Sequence, residues 1–355
     1  MKKLAVCLFL VIAAYSINAQ DTVKVKLDAK QEAELNYNMG INNIKAQRYN
    51  EAISSFNKTL AVDPYYQKAY YNRGLAYSEL KQFNKAVEDY SKAIEMDAAD
   101  ASSYFGRGQA KYGMGDKDGA MDDYTTAIEK KPAYDQAFYY RGDIKFEKGN
   151  YKEAIEDFDQ AIKLNPSYIY AFNDRGSAKR QLDKLDDAIA DYNKALILAD
   201  ETAPSFLYSN RASAKRKKGD LKGAIMDYNA AIKLNFALKK NDPIVFNNLG
   251  STYFDNGQYD LAITEFTKAI TADAKYAFAY NNRAAAKLKI KDYAGAQDDC
   301  NKAIAINANY GNAYLNRGMA KENLKDFPGA CKDWETAASM GIALGKAYME
   351  ECKKR

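Results

Sequence analysis

The chain has 355 residues, with 52 Lys and Arg against 47 Asp and Glu, a formal net charge of +5, and no histidine. The lack of histidine removes imidazole bases, Ser-His and Cys-His nucleophile pairs and mixed Cys/His zinc sites, which weighs against an enzyme and leads us to expect no metal or other cofactor. If Lys2 and Lys3 are lost with a leader, 50 basic and 47 acidic side chains remain. That balance leaves no electrostatic footprint for nucleic acid.

Met1 to Gln20 carries Lys2 and Lys3, an apolar run from Leu4 to Tyr15, and the small-residue exit Ile17-Asn18-Ala19. This pattern reads as a secretory signal peptide, residues 1–19, cleaved after Ala19. About twelve apolar residues fall short of the ~20 that span a bilayer, so no membrane span is expected after signal removal. Cys7 follows Leu4-Ala5-Val6, but Val6 stands where a lipoprotein site needs a small residue. Export to an oxidising compartment, periplasmic or extracellular, follows, with Cys300, Cys331 and Cys352 in the mature chain. Residues 20–32 form an N-terminal segment in which Asp28 and Gln31 make a capping box for the first helix.

From there a small residue followed twelve positions later by alanine recurs nine times: Gly40/Ala52, Gly74/Ala86, Gly108/Ala120, Gly142/Ala154, Gly176/Ala188, Ala212/Ala224, Gly250/Ala262, Ala284/Ala296 and Gly318/Ala330. The small residue steps by 34, 34, 34, 34, 36, 38, 34 and 34 residues. One helix-turn-helix unit is therefore used nine times, and length counts repeats of one elongated domain. Four residues before the small position stands an aromatic in every unit but the first, which has Asn36. Four after the alanine stands a second large side chain, such as Phe56, Tyr90, Phe158 and Trp334, replaced by Cys300 in the eighth unit. Another small residue follows three later, and Pro64, Pro132 and Pro166 close three of the units. Spacings of three and four place each set on one helical face.

Aromatic-x-x-x-Gly, Ala, aromatic, Ala and Pro at this period resembles the tetratricopeptide repeat. The resemblance covers about Ala33 to Gly341, with units starting near 33, 67, 101, 135, 169, 205, 243, 277 and 311. It implies an all-α, right-handed superhelix (α-solenoid) of nine helix pairs, with a concave groove lined by the first helices. Both length irregularities, around Ala199 to Pro204 and Phe236 to Pro243, fall in loops between units. Residues 342–355 continue beyond Gly341 as a capping helix that covers the last apolar face.

Two charged columns repeat. Arg73, Arg107, Arg141, Arg175, Arg211, Arg283 and Arg317 precede the small residue, and sixteen positions later the same units carry Asp89, Asp123, Asp157, Asp191, Asp227, Asp299 and Asp333. The first unit, with Met39, has Ser55, and the seventh, with Leu249, has Glu265. Presence and absence together indicate an inter-helix ion pair within each repeat.

Two residues before the small position lies Asn38, Asn72, Asn210, Asn248, Asn282 and Asn316, interrupted by Gly106, Tyr140 and Asp174. The resemblance puts this column in the groove, where a carboxamide offers a donor and an acceptor to one peptide group. It has no partner within its repeat, which leaves it available to a ligand; a solvated helix face is the competing reading. Gly106 stands where the family's carboxylate clamp needs a second asparagine, so that clamp does not carry over. Other groove positions run from aromatic (Tyr37, Tyr71, Tyr139) to basic (Arg180, Arg216, Lys217), a surface for a peptide with apolar and acidic portions. Tyrosines packed between layers and a solvated lysine-rich helix end are the plain alternatives.

Cys331 and Cys352 lie on adjacent helices and are expected to form a disulfide that ties the capping helix down. The leading function is a non-catalytic scaffold binding a protein or peptide segment in its groove, in a cell-envelope assembly. The rival is a glycan or peptidoglycan-associated binder using groove aromatics.

Overall fold

The computed structural model describes residues 28–237 and 241–352. The expected signal peptide, residues 1–19, and part of the second inter-repeat insertion lie outside the described residues. The helices are α1 (Ala29–Lys45), α2 (Tyr49–Val62), α3 (Gln67–Glu79), α4 (Phe83–Met96), α5 (Ala101–Gly113), α6 (Lys117–Lys130), α7 (Asp135–Glu147), α8 (Tyr151–Leu164), α9 (Ile169–Gln181) and α10 (Leu185–Ala199). A 3-10 turn at Asp200–Thr202 precedes α11 (Ser205–Lys218), α12 (Leu221–Ala237), α13 (Pro243–Asp255), α14 (Tyr259–Ala272), α15 (Ala277–Lys289), α16 (Tyr293–Ile306), α17 (Gly311–Asn323), α18 (Phe327–Ser339) and α19 (Ala343–Cys352). There is no strand among the described residues, and the helices alternate in tandem pairs, the α-solenoid arrangement, with one further helix at the C-terminus.

The chain divides into two compact units, Met1–Asp116 and Lys117–Arg355. In the N-terminal unit α1 pairs with α2, α3 pairs with α4, and α5 stacks on α4. In the C-terminal unit α6 stacks on α7, and six pairs follow from α7/α8 to α17/α18, each touching the next before α19 closes the series. Every helix length follows from the repeat. The helix carrying the small residue stops at a turn whose left-handed residue is glycine at Gly115, Gly149, Gly219 and Gly257, but Gln47, Lys81, Asp183, Lys291 or Lys325 elsewhere. The first helix starts as expected, with Asp28 accepting from the Gln31 N–H and Gln31 reaching back to the Asp28 N–H.

The small residue earns its place through the aromatic sixteen positions later. A Cβ on Gly40 would lie 2.4 Å from the Phe56 ring, and one on Gly318 would lie 2.4 Å from Trp334. Phe56, Tyr90, Phe158, Tyr192, Tyr228, Phe266 and Trp334 are accordingly buried against the first helix of their own pair. Each such ring contributes about 1.5–3 kcal/mol by leaving water.

The C-terminal helix covers the last pair. Tyr348 stacks on Trp334 at 4.8 Å, and Ile342, Tyr348 and Cys352 pack on the cluster of Leu315, Ala330, Trp334 and Ala337. Cys331 and Cys352 are disulfide-bonded with Cα atoms 5.9 Å apart, whereas Cys300 stays a buried thiol whose pKa burial raises to about 12.

Candidate functional site

The repeated charges pair within the repeat. The Arg141 Nε and Nη2 donate to the two carboxylate oxygens of Asp157 at 3.0 and 2.7 Å, and Arg175, Arg211, Arg283 and Arg317 fork in the same way onto Asp191, Asp227, Asp299 and Asp333. In the N-terminal unit Arg73 forks onto Asp89 at 2.7 Å through both nitrogens. Two further features were not drawn from the sequence. The remaining guanidinium nitrogen reaches back to the second helix of the preceding repeat, as from Arg283 to Thr267 at 2.9 Å and Arg317 to Asn301 at 2.9 Å. A lysine one turn along the first helix also joins the aspartate, at Lys145, Lys179, Lys215, Lys287 and Lys321. Its recurrence three residues after the small position was the signal for it.

The asparagine column meets a different partner. First helices of successive repeats lie side by side, so a side chain faces one about a repeat earlier. Asn72 Nδ2 donates to the Tyr37 hydroxyl at 3.1 Å and to Lys68 O at 2.8 Å. In the C-terminal unit Asn210 donates to Asn173 Oδ1 at 2.9 Å, Asn282 to Asn247 at 3.0 Å, and Asn316 to Asn281 at 2.9 Å. The expectation of an unpartnered carboxamide is thus corrected for Asn72, Asn210, Asn282 and Asn316, whose donor links neighbouring repeats. Asn38 is exposed. Asn248 has no side-chain hydrogen bond among the described residues, and the Ser209 hydroxyl, which holds the equivalent of the acceptor position one repeat earlier, is buried without a partner. The ladder therefore lacks its rung where the repeat step is 38 residues.

Where the column carries Asp174, the rung is acidic. The Tyr139 hydroxyl donates to Asp174 at 2.8 Å, and Asn173 donates to the other oxygen at 2.8 Å. Burial raises the Asp174 pKa while these bonds lower it. Burial, then the charges of Asp174 and Glu147, push Asp143 up to about 6 against the opposing Lys117. Tyr139 packs against Tyr168 at 4.8 Å and Phe158 at 5.9 Å, and Tyr71 meets Tyr90 edge-on at 5.7 Å. Tyr37 packs against Tyr66 at 5.0 Å. These rings sit in the packing between helices, the plainer of the two readings.

The basic stretch is largely neutralised. Arg216 pairs with Asp255 at 2.6 Å and Lys217 with Asp183 at 2.9 Å. Arg180 differs: it donates to Ser213 at 3.0 Å, its Nε is buried without an acceptor, and no carboxylate pairs with it among the described residues. Beyond it, two cavities adjoin along the first helices. One of about 220 Å³ is lined by Arg216, Ser251, Phe254, Asp255, Phe266, Asn282 and Ala285. The next, about 300 Å³, shares Phe254 and Ala285 and adds Leu288, Lys289, Tyr293, Asn316, Met319 and Asn323. The structure thus brings Arg216 and Asn282 into one cavity and Asn316 into its neighbour, with an apolar lining that the sequence did not single out. Among the described residues no group of three or more metal-ligating side chains gathers, and no helix is long and apolar enough to cross a membrane.

Tetratricopeptide repeat family models match residues 142–183 and 250–291, residues 68–99, and residues 101–134, 169–201 and 207–237, together more than half of the chain. Among solved structures, the chain is similar to the APC/C hetero-tetramer Cut9-Hcn1, at 16% identity and a TM-score of 0.56 over 93% of this chain and 78% of that one. A tetratricopeptide repeat protein from Parabacteroides merdae aligns at 18% identity with a TM-score of 0.52 over 73% of this chain and 99% of its own. YrrB, described as a TPR protein with an unusual peptide-binding site, aligns at 21% identity with a TM-score of 0.44, over 54% of this chain and 95% of its own. No curated protein sequence matches the chain.

Proposed function

The chain belongs to the tetratricopeptide repeat family, a fold that mediates protein–protein interaction, and from that premise we propose that it is an exported, non-catalytic scaffold of a cell-envelope assembly that binds an extended protein segment in the groove of its C-terminal unit. The observation that carries the reading is the pair of adjoining cavities that share Phe254 and Ala285 and have Asn282 and Asn316 on their walls. Each offers an apolar recess beside a carboxamide, so side chains gain burial while the ligand backbone finds polar partners. Asn282 and Asn316 each spend one N–H on the neighbouring repeat, which leaves the second N–H for a ligand carbonyl, and the Asn316 carbonyl oxygen remains for a ligand N–H. Export is supported by the Met1 to Gln20 composition and by a disulfide that an oxidising compartment sustains.

Selection of peptides from a random display library on the purified chain tests the groove. Ala285→Trp, which fills the shared wall, is expected to abolish binding of the selected peptides with the helical content unchanged; peptides that bind this variant normally would overturn the reading. For export, the protein recovered outside the cytoplasm should begin at Gln20, and an intact Met1 in the cytoplasm counts against it.

A further inference from the structure

Six residues before the small position, the first helices of the fifth to eighth repeats carry Tyr170, Phe206, Ile244 and Phe278, whereas the other repeats carry Glu34, Lys68, Ser102, Gln136 and Asn312. The four apolar side chains stand open to solvent, at 52%, 36%, 55% and 54% exposure. Tyr170 and Phe206 stack on each other at 6.1 Å, which joins the fifth and sixth repeats in this strip. Scattered single apolar residues on a surface mean little, but a run in register over consecutive repeats is the mark of an interaction site. The strip position is one turn before the asparagine column on the same helical face, and Arg180 and Arg216 lie six residues after that column, toward the other end of their helices.

Three polar groups of the same repeats keep hydrogen-bonding or ionic capacity that no described side chain fills. They are the Asn248 carboxamide, the buried Ser209 hydroxyl and the Arg180 guanidinium with no carboxylate. All belong to the fifth, sixth and seventh repeats, which also carry Tyr170, Phe206 and Ile244. A peptide group laid across the missing rung would accept from the half-buried Asn248 carboxamide N–H and donate to its carbonyl oxygen. A carboxylate on the same segment would reach Arg180 with the planar fork geometry that guanidinium favours.

From this convergence we infer that the strip and the vacant rung together dock an extended, polyproline-II-like segment with an apolar side chain at every third position and acidic side chains facing Arg180. The spacing selects this conformation. Packed helices stand about 8–10 Å apart, so consecutive strip residues are rooted on backbones at about that interval, with the Tyr170 and Phe206 rings leaning together to 6.1 Å. A polyproline II chain has three residues per turn and rises ~3.1 Å per residue, returning the same face every ~9.3 Å. A β-strand points residues three apart to opposite faces, and an α-helix has no free backbone groups for the rung. Charge selects the acidic character, since no carboxylate pairs with Arg180 among the described residues. The inference rests on the groove reading above and assigns its ligand class.

The test is fluorescence anisotropy of the purified chain with a labelled peptide of five Leu-Pro-Glu triplets. Saturable binding is expected, weakened at least about tenfold by Phe206→Ser with Ile244→Ser and by Asn248→Ala. Arg180→Gln should weaken it and flatten its salt dependence, and a Leu-Pro-Lys peptide should not bind. Phe206 and Ile244 are exposed, and helical circular dichroism checks that the variants at the half-buried Asn248 and Arg180 stay folded as well. Equal affinity for a peptide of the same composition with irregular leucine spacing, or indifference to the strip variants, would overturn the inference. Library-selected peptides that are blocked by Ala285→Trp but bind the strip variants normally would leave the groove reading standing and remove this one. Selected peptides insensitive to both would remove the two together.

Discussion

The joints on either side of the seventh repeat are built differently. In the eighth repeat Arg283 forks onto Asp299 and Lys287 joins at 2.8 Å, and across the joint to the seventh repeat the spare nitrogen of Arg283 reaches Thr267. Asn282 adds a rung to Asn247. Between the sixth and seventh, Leu249 replaces the arginine, Ser209 and Asn248 leave the rung unmade, and the apolar cluster of Ala212, Tyr228, Val245 and Leu249 forms the contact. Glu265, in the aspartate slot, turns to Lys268 at 2.6 Å and keeps Oε2 buried without a partner. The repeat thus tolerates loss of its polar ties at one joint, and that joint is where the groove has polar groups left over.

The largest expected effect contrasts the two aspartate slots. Asp299→Ala leaves Arg283 and Lys287 together without a counter-charge and is expected to cost about 3–5 kcal/mol in urea unfolding. Glu265→Leu, which removes a half-satisfied carboxylate beside Leu249, is expected to be neutral or stabilising. Equal losses for the two would erase the distinction between the joints.

A double-mutant cycle sharpens it. Arg141→Ala and Asp157→Ala are each destabilising, and their combination should recover about 1–3 kcal/mol relative to the sum. Strict additivity would show that the fork carries no coupling. The rungs give a smaller contrast: Asn247→Ala breaks a ladder bond and should lose about 1 kcal/mol, while Ser209→Ala removes an orphan hydroxyl and should lose nothing. Thermal unfolding that ranks them the other way round would place the missing rung elsewhere.

The smallest effect concerns Asp143, a carboxylate whose neighbours are Asp174, Glu147, Tyr139, Tyr140 and Lys117 rather than an arginine fork. Its folded pKa, raised from 3.8 to about 6, means that the folded state holds this proton more tightly than the unfolded chain. The associated stability is present below the unfolded pKa and is lost as pH rises through the folded one. Asp143→Asn should therefore match the parent at pH 4 and melt higher at pH 7, and a gain confined to acid would reverse the assignment.

Much of this was legible in residue spacing. The step of 34 residues and the pairing of Gly40 with Phe56 or Gly318 with Trp334 are repeated many times in register, so each repeat corroborates the next. The fork of Arg141 on Asp157 was legible because its absence is correlated too, as Leu249 with Glu265 shows. The asparagines were harder. Asn282 and Asn316 look like available groove groups until the neighbouring helix places Asn247 and Asn281 against them, and those acceptors occupy a column that also holds Tyr139, Ser209 and Leu315. A column so mixed leaves no correlated pattern to read.

The sequence by itself determined the helix pairs, their order, the buried rings and the ion pair inside repeats such as those of Arg141 and Arg283, because these depend on contacts at fixed separations within one unit. Tertiary structure alone decided which polar groups are spent between repeats, which are left over beside Asn248, and that Phe254, Leu288 and Met319 line two adjoining cavities. Those outcomes depend on how far one helix pair is displaced against the next, and a loop two or four residues longer changes that displacement without altering the pattern on either side.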